Sequence, residues 1–253
     1  MKSFLKSLLP NVVLNILNYF RFELFDGWAR SSYSQEGEDL VLARLFDEQR
    51  EGFYIDIGAH HPKKLSNTYF FYRKGWHGIN IDAMPGSMKP FNRCRPRDLN
   101  LEIAISDTEQ DLQYHVFDEP ALNTFSKQLS EMYQADPRWK LRNVLTIRTR
   151  TLHEVLGRHL PHGVQIDFMS VDVEGLDLAV LRSNDWGRYR PHVLLIEVLE
   201  MEFSRLPQAE IAIFLASKGY QPFAKCINTV FFCDSSWLAS TRSVLNLSGG
   251  QCG

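Results

Sequence analysis

Several things are scarce in this 253-residue chain. No run of eighteen or so apolar residues occurs, so no segment is expected to cross a bilayer as a helix. Cysteine is limited to Cys94, Cys226, Cys233 and Cys252, with no C-x-x-C pair, which argues against a zinc site or a disulfide framework and suits a reducing cytosol. Positive charge is not in excess: the net charge of −2 gives no basic footprint for nucleic acid. No small-residue cleavage site follows the apolar stretch near the N-terminus, which argues against a secretory signal. What is present is ordinary in bulk. An apolar share of 44% can supply a full core, and the length suits one α/β domain with extensions.

Glycine is scarce where it would decide the ligand. In F-Y-I-D-I-G-A-H-H-P, residues 53–62, the β-forming run ends in a turn whose only glycine is Gly58. A dinucleotide site needs several glycines there, so that the backbone can approach a pyrophosphate. His60, His61 and Pro62 fill the rest of this turn, and Pro62 removes a donor. Asp56, just inside the edge, repels phosphate and favours a cationic ligand such as S-adenosylmethionine. Taken alone, the same residues also describe an ordinary strand-to-helix turn.

In chain order, residues 1–30 form an amphipathic extension. Leu8, Leu9, Val12, Val13, Ile16, Leu17 and Phe20 are its apolar residues, and the asparagines at 11, 15 and 18 recur on another face, in a helix beginning near Pro10. Two expectations stand side by side: packing on its own domain or a twin subunit, and peripheral membrane contact through residues 1–25, aided by Lys2, Lys6, Arg21 and Arg30. A helix over about 34–46 follows, with Ser34 as cap. Gln35 and Glu38 either serve that helix end or reach the ligand's amino-acid end. A helix over 66–72 stops at Gly75. A second strand over 78–83 ends at Asp82 and Ala83, the place for an acidic residue that accepts a ribose diol. After a helix over 86–95, a third strand over 101–107 ends in Ser106 and Asp107, which either bind an adenine edge or form the following turn.

Residues 108–150 break the strand–helix alternation and are expected to lie as an insertion over the carboxyl edge, with Asn123 and Thr124 as acceptor-binding candidates. Thr151 and Glu154 predict a capping box for a helix over 151–160. His153, His159 and His162 have no metal-ligand spacing and are expected on the surface. In I-D-F-M-S-V-D-V-E-G-L-D, residues 166–177, a fourth strand runs into Asp172, Glu174 and Asp177. Such crowded carboxylates raise one another's pKa unless a ligand, base or metal needs them. A helix over 176–186 and a fifth strand over 192–198 ending at Glu197 come next, with Glu200 soon after. A helix over about 207–218 then precedes a hairpin turning near Asn228. The end, 241–253, reads as a flexible tail.

The motifs Y-S-Q-E-G-E-D-L, F-Y-I-D-I-G-A-H-H-P, N-I-D-A-M-P-G-S, I-A-I-S-D, A-L-N-T-F-S, S-V-D-V-E-G-L-D and L-I-E-V, in this order over residues 33 to about 200, resemble the FkbM family of S-adenosylmethionine-dependent methyltransferases. The resemblance implies a class I methyltransferase (Rossmann-like) α/β sheet of seven strands, mostly parallel with the last antiparallel, over residues 31–240. It implies O-methylation, often of a sugar hydroxyl in a glycan or natural product. By position, Asp56, Gly58 and Ala59 would hold the methionine part, with His60 beside them. Asp82, with Ala83, would hold the ribose, and Ser106 with Asp107 the adenine. Asp172 is the expected base. Glu174 and Glu197 would raise its pKa or share a divalent cation such as Mg²⁺ with it, Glu197 also facing the acceptor. His61 is the competing base, because its ordinary pKa suits the task. The partners expected are a carbohydrate or small-molecule acceptor, no nucleic acid, and a homo-oligomer or a membrane face, with the protein cytoplasmic. A nicotinamide-dependent oxidoreductase and a non-catalytic binding module are the rival readings.

Overall fold

The computed structural model describes residues 11–20, 25, 29–198 and 202–247. It divides into two units, Met1–Ser32 and Tyr33–Gly253. The expectations placed on Lys2, Lys6, Arg21, Glu200 and the tail from 248 fall outside the described residues, as does Cys252. The first unit contains helix α1, Asn11–Tyr19. No described helix is long and apolar enough to cross a membrane.

The second unit is built on a seven-stranded sheet in the order β3-β2-β1-β7-β8-β10-β9. The strands are β1 Phe53–Ile57, β2 His77–Asp82, β3 Leu99–Glu102, β7 Phe168–Val171, β8 Val193–Glu197, β9 Tyr220–Lys225 and β10 Thr229–Asp234. The first five of these pair in parallel, and β10 runs antiparallel to both β8 and β9. The expected sheet, with its last strand reversed, is therefore present.

Both faces of this sheet are covered, because side chains alternate along each strand. Phe53, Ile55 and Ile57 of β1 join Met169, Val171, Leu194, Ile196, Val230 and Phe232 in one core. That core packs against α6 (Leu152–His159), α7 (Asp177–Arg182) and α8 (Glu210–Ser217). Tyr54, Phe168, Val193, Leu195, Phe231 and Cys233 point the other way. They meet α2 (Glu38–Leu45), α3 (Tyr69–Lys74) and α9 (Ser235–Leu247). Helix α4, Met88–Cys94, packs Met88 and Phe91 on Ala59. The capping box of α6 forms as expected, Thr151 accepting from the Glu154 N–H at 3.3 Å.

Three expectations shift. The third strand is not continuous: β3 ends at Glu102, and Ala104–Ile105 (β4) leaves the main sheet to pair with Leu141–Arg150 (β6). The switch occurs at Ile103, whose N–H donates to the Asp82 carbonyl at 3.0 Å. Strand β6 also pairs with Asp111–Phe117 (β5), making a second sheet, β4-β6-β5. The insertion is thus a hairpin hung on the break, carrying α5, Lys127–Ala135, between its strands. The helix expected over about 207–218 starts later, as α8 at Glu210, with a 3-10 turn, Phe203–Gln208, before it. Regular structure also runs past 240, because α9 reaches Leu247.

A buried polar cluster lies under β1 and β2. Arg95, fully buried, donates from Nε to Asp98 at 2.8 Å, and from Nη2 to the Tyr54 hydroxyl and Thr68 Oγ1, each at 2.9 Å. Asp98 also accepts from the Tyr54 hydroxyl at 2.8 Å, the Gly78 N–H at 3.0 Å and Asn80 Nδ2 at 3.0 Å. Every oxygen and nitrogen that a charged pair needs to be tolerated in a core is therefore engaged.

Candidate active site

The carboxyl ends of β1, β2, β7 and β8 open into one cleft, where an open α/β sheet binds ligands. It offers about 260 Å³ of water-accessible room. One end is apolar, walled by Ile81, Ile103, Ile105, Tyr114, Leu122 and Phe125. The other is acidic, walled by Asp172, Glu174 and Glu197 with Gln35. Asp82 and Ala83 are also among the walls.

Gly58 is required at the floor. Its φ is +84°, and a Cβ there would lie 1.7 Å from the carbonyl oxygen of Asp172. The turn after β1 thus presses directly on the turn after β7, tied by the Asp172 N–H donating to Ile57 O at 3.0 Å. The N–H groups of Gly58 and Ala59 both donate to the Ile81 carbonyl, at 2.9 and 3.1 Å. Neither is left to receive a phosphate. His60 and Glu174, neither of them glycine, both sit at φ +50°. Left-handed residues of this kind persist only where their surroundings hold them.

Asp82 accepts from the His60 N–H at 3.0 Å and the Met84 N–H at 2.8 Å, one on each oxygen. Each oxygen keeps a further lone pair for a ligand hydroxyl. Burial raises its pKa against these two donors. Burial likewise holds the Tyr114 hydroxyl protonated far above neutrality, with the Asp82 charge adding to it.

The acidic end is the unusual part. Ligand atoms of Asp172, Glu174 and Glu197 lie within 4.8 Å of one another. Asp172 is exposed to the cleft. Its carboxyl is raised well above the usual range by desolvation, then by Glu197, Asp177 and Asp56. Glu174 is pushed up to about 7 by burial and by Asp172, against a hydrogen bond from Tyr133 of 3.0 Å. Glu197 is pushed up to about 7 by burial, Glu174 and Asp177, with Glu36 and Glu38 behind it. No described basic side chain forms an ion pair with any of the three. The cluster can therefore take up a proton near neutrality or accept a cation through an oxygen-only donor set. Asp177 stands apart: it accepts from the Val173 N–H at 3.1 Å and the Gly175 N–H at 3.3 Å, so it holds the loop that carries Glu174.

The cleft brings together Gln35, Gly58, His60, Asp82, Ala83, Asn123, Asp172, Glu174 and Glu197. It does not bring in seven other candidates. Asp56 shares the face of Tyr54, because strand side chains alternate. It is buried and accepts from Thr68 Oγ1 at 2.7 Å, so its carboxylate belongs to the Arg95 side. Ala59 is buried against Met88 and Phe91. His61 is exposed, and its Nδ1 accepts from the N–H groups of Lys63 at 3.1 Å and Lys64 at 2.9 Å. Its pKa is lowered by burial and by His60 and the two lysines. Ser106 is buried and Asp107 exposed, bonded to each other at 3.3 Å as a turn. Thr124 is fully buried and donates to the Glu174 carbonyl at 2.6 Å. Glu38, weighed with Gln35, instead accepts from the Thr229 hydroxyl at 2.9 Å. The apolar walls Ile103, Ile105, Tyr114 and Phe125 escaped the sequence reading. Tyr133, the partner of Glu174, escaped it as well.

A family model described as the methyltransferase FkbM domain matches residues 56–222. No curated protein matches the chain. Solved structures similar to it include a TehB-like SAM-dependent methyltransferase from Corynebacterium glutamicum, 12% identical over 88% of this chain and 100% of that one, with a TM-score of 0.38. A putative RNA methyltransferase from Pyrococcus horikoshii is 11% identical over 79% of this chain and 83% of that one, with a TM-score of 0.40. A precorrin-6y C5,15-methyltransferase from Geobacter metallireducens is 12% identical over 78% and 86%, with a TM-score of 0.38.

Proposed function

Because the chain belongs to the FkbM methyltransferase family, we propose that it uses S-adenosylmethionine to methylate a hydroxyl oxygen of a carbohydrate acceptor, with Asp172 as the base. The observation that carries this reading is the division of the cleft. An apolar end, a carboxylate with free lone pairs at Asp82, and an acidic end at Asp172, Glu174 and Glu197 match, in order, a flat base, a ribose diol and a cationic group. A dinucleotide is disfavoured, since the donors of the first turn are spent on Ile81. A bare binding module has no need of three crowded, unpaired carboxylates.

S-adenosylmethionine supplies an electrophilic methyl group. The chain's part is to position the acceptor and remove its proton. A hydroxyl is a weak nucleophile until a base takes its proton as the new bond forms. Asp172 accepts that proton, its affinity for it raised by burial and by Glu197, and it is flanked by Glu174 and Glu197. Their remaining lone pairs can accept from neighbouring hydroxyls, while their charge turns away phosphorylated or carboxylated acceptors. Calorimetry with S-adenosylmethionine and with NAD, followed by methyl-transfer assays on neutral glycans, tests the reading. Binding of NAD alone, or cofactor binding without transfer to any hydroxyl, would overturn it. The close oxygen cluster favours one second reading, in which it holds a divalent cation. A chelator that abolishes activity, with Mg²⁺ restoring it, would establish that version.

Two predictions belong to this site. Asp82→Asn keeps one side-chain acceptor for a backbone N–H but removes the charge that a diol would meet. Cofactor affinity should fall by ~1.5–3 kcal/mol, the worth of a hydrogen bond to a charged group. An unchanged dissociation constant would remove Asp82 from the cofactor site. The second concerns pH. Glu174 and Glu197, raised from 4.5 to about 7, keep protons in the folded chain that the unfolded chain has already lost. Their stabilisation is complete below about pH 4.5 and is lost as pH rises through about 7. The melting midpoint of the ligand-free, metal-free protein should therefore fall by a few degrees between about pH 5 and about pH 8. Glu197→Gln should flatten this response, and an equal slope in that variant would refute the assignment.

A further inference from the structure

Helix α1 and Phe20 after it, residues 11–20, contain no charged residue. At 3.6 residues per turn, Val12, Val13, Ile16, Leu17 and Phe20 fall on one side and the asparagine positions on the opposite side. The five apolar side chains are between 38% and 69% exposed. Such a continuous apolar stripe needs a partner. The charge around it says which kind. Residues 1–22 contain Lys2, Lys6 and Arg21 and no acid, while the chain as a whole stands at −2, which leaves the remainder at −5. A second copy of the helix would bring the same three cations together. An anionic lipid surface neutralises them and receives the apolar stripe at the same time. The nine described helical residues span about 14 Å, against a hydrocarbon core of about 30 Å, a length that suits lying in the interface.

We propose that α1 docks this protein on an anionic lipid surface, lying in the membrane plane with Val12, Val13, Ile16, Leu17 and Phe20 inserted. The polar side, with Asn18, stays in the headgroup layer and needs no charge of its own. Attachment rests on insertion plus the flanking cations, and a single short helix of this kind binds reversibly.

The test floats the full chain with vesicles of equal parts phosphatidylcholine and phosphatidylglycerol, and with phosphatidylcholine alone. The expected result is co-flotation with the mixed vesicles and several-fold less with the neutral ones. Ile16→Asp combined with Leu17→Asp should lower binding to the mixed vesicles on the order of tenfold, and Asn18→Ser should leave it unchanged. Thermal unfolding of the sheet domain and S-adenosylmethionine binding should be the same in all three proteins. Failure of the wild type to bind either vesicle, or equal binding by the double variant, would overturn the proposal. So would a wild-type oligomer, seen by light scattering, that the double variant converts to a monomer without any vesicle binding. That result would make a second copy the occupant.

Discussion

Asp172→Asn is expected to slow methyl transfer about 10²–10⁴-fold, the usual contribution of a positioned general base, with S-adenosylmethionine affinity little changed. The substitution keeps shape and hydrogen-bonding reach but cannot take a proton. It also removes one of the mutually repelling carboxylates around Glu197 and Asp177. The variant should therefore be no less stable than the wild type, which separates a catalytic loss from a folding loss. His61→Asn is the control. Its ring lies outside the cleft walls and receives two backbone N–H groups, so this variant should retain near-wild-type turnover. Comparable losses in both variants would deny Asp172 its special role. A large loss in His61→Asn alone would move the base to the turn after β1. Rate profiles should separate base from ligand further: a base gives a limb rising with pH through the cluster's raised range, whereas a bound cation would hold the carboxylates ionised and shift that limb to lower pH.

The second large effect is on the fold. Arg95→Leu should destabilise the protein by ~3–5 kcal/mol, the range for stranding one member of a buried ion pair. The guanidinium is fully buried and supplies donors to Asp98, Tyr54 and Thr68. Without it, Asp98 keeps its neutral donors but loses its only buried cation, and Asp56, one bond further on through Thr68, loses the charge that counters its desolvation. Urea unfolding followed by tryptophan fluorescence would measure the loss, since Trp76 lies in the adjoining core. A midpoint close to wild type would mean that water or rearranged side chains replace the guanidinium.

The two aspartates at the first two strand ends illustrate what the sequence could convey. Both close an apolar β run before a turn, and both were read as ligand contacts. Asp82 is the last residue of its strand and accepts the N–H groups of the turn, so its carboxylate stays at the cleft. Asp56 is one residue short of its strand's end and pairs in register with Asn80, so it points to the same face as Asp82 but lies two residues deeper, where Thr68 takes it up. Spacing brings a carboxylate near the edge; only the strand register says how deep it lies. The strands of the main sheet were legible because two-sided burial makes them near-continuous apolar runs. The same property hid the break at Ile103, since Leu101–Ile105 reads as one strand whichever sheet its halves join. Helix α9 has no counterpart in the sequence reading, because its serines and threonines weaken the periodic signal, although Leu238 is anchored in the core. Ile103, Ile105, Tyr114 and Phe125 gave no chemical cue, being apolar walls like any others. Asp172, Glu174 and Glu197 were legible as a set because acids at successive strand ends have few structural reasons to be there.

The insertion enters and leaves the domain at adjoining points: the Thr149 N–H donates to the Gln110 carbonyl at 2.8 Å, and the Gln110 N–H to Thr149 Oγ1 at 3.2 Å. A segment with neighbouring ends can be lengthened, shortened or exchanged at small entropic cost to the host. This one supplies the apolar walls Tyr114, Leu122 and Phe125 and meets the acidic end through Thr124 and Tyr133. Residues 111–148 therefore form a cassette. In evolutionary terms, the cassette can change length while the sheet that carries Asp82, Asp172 and Glu197 is inherited unaltered.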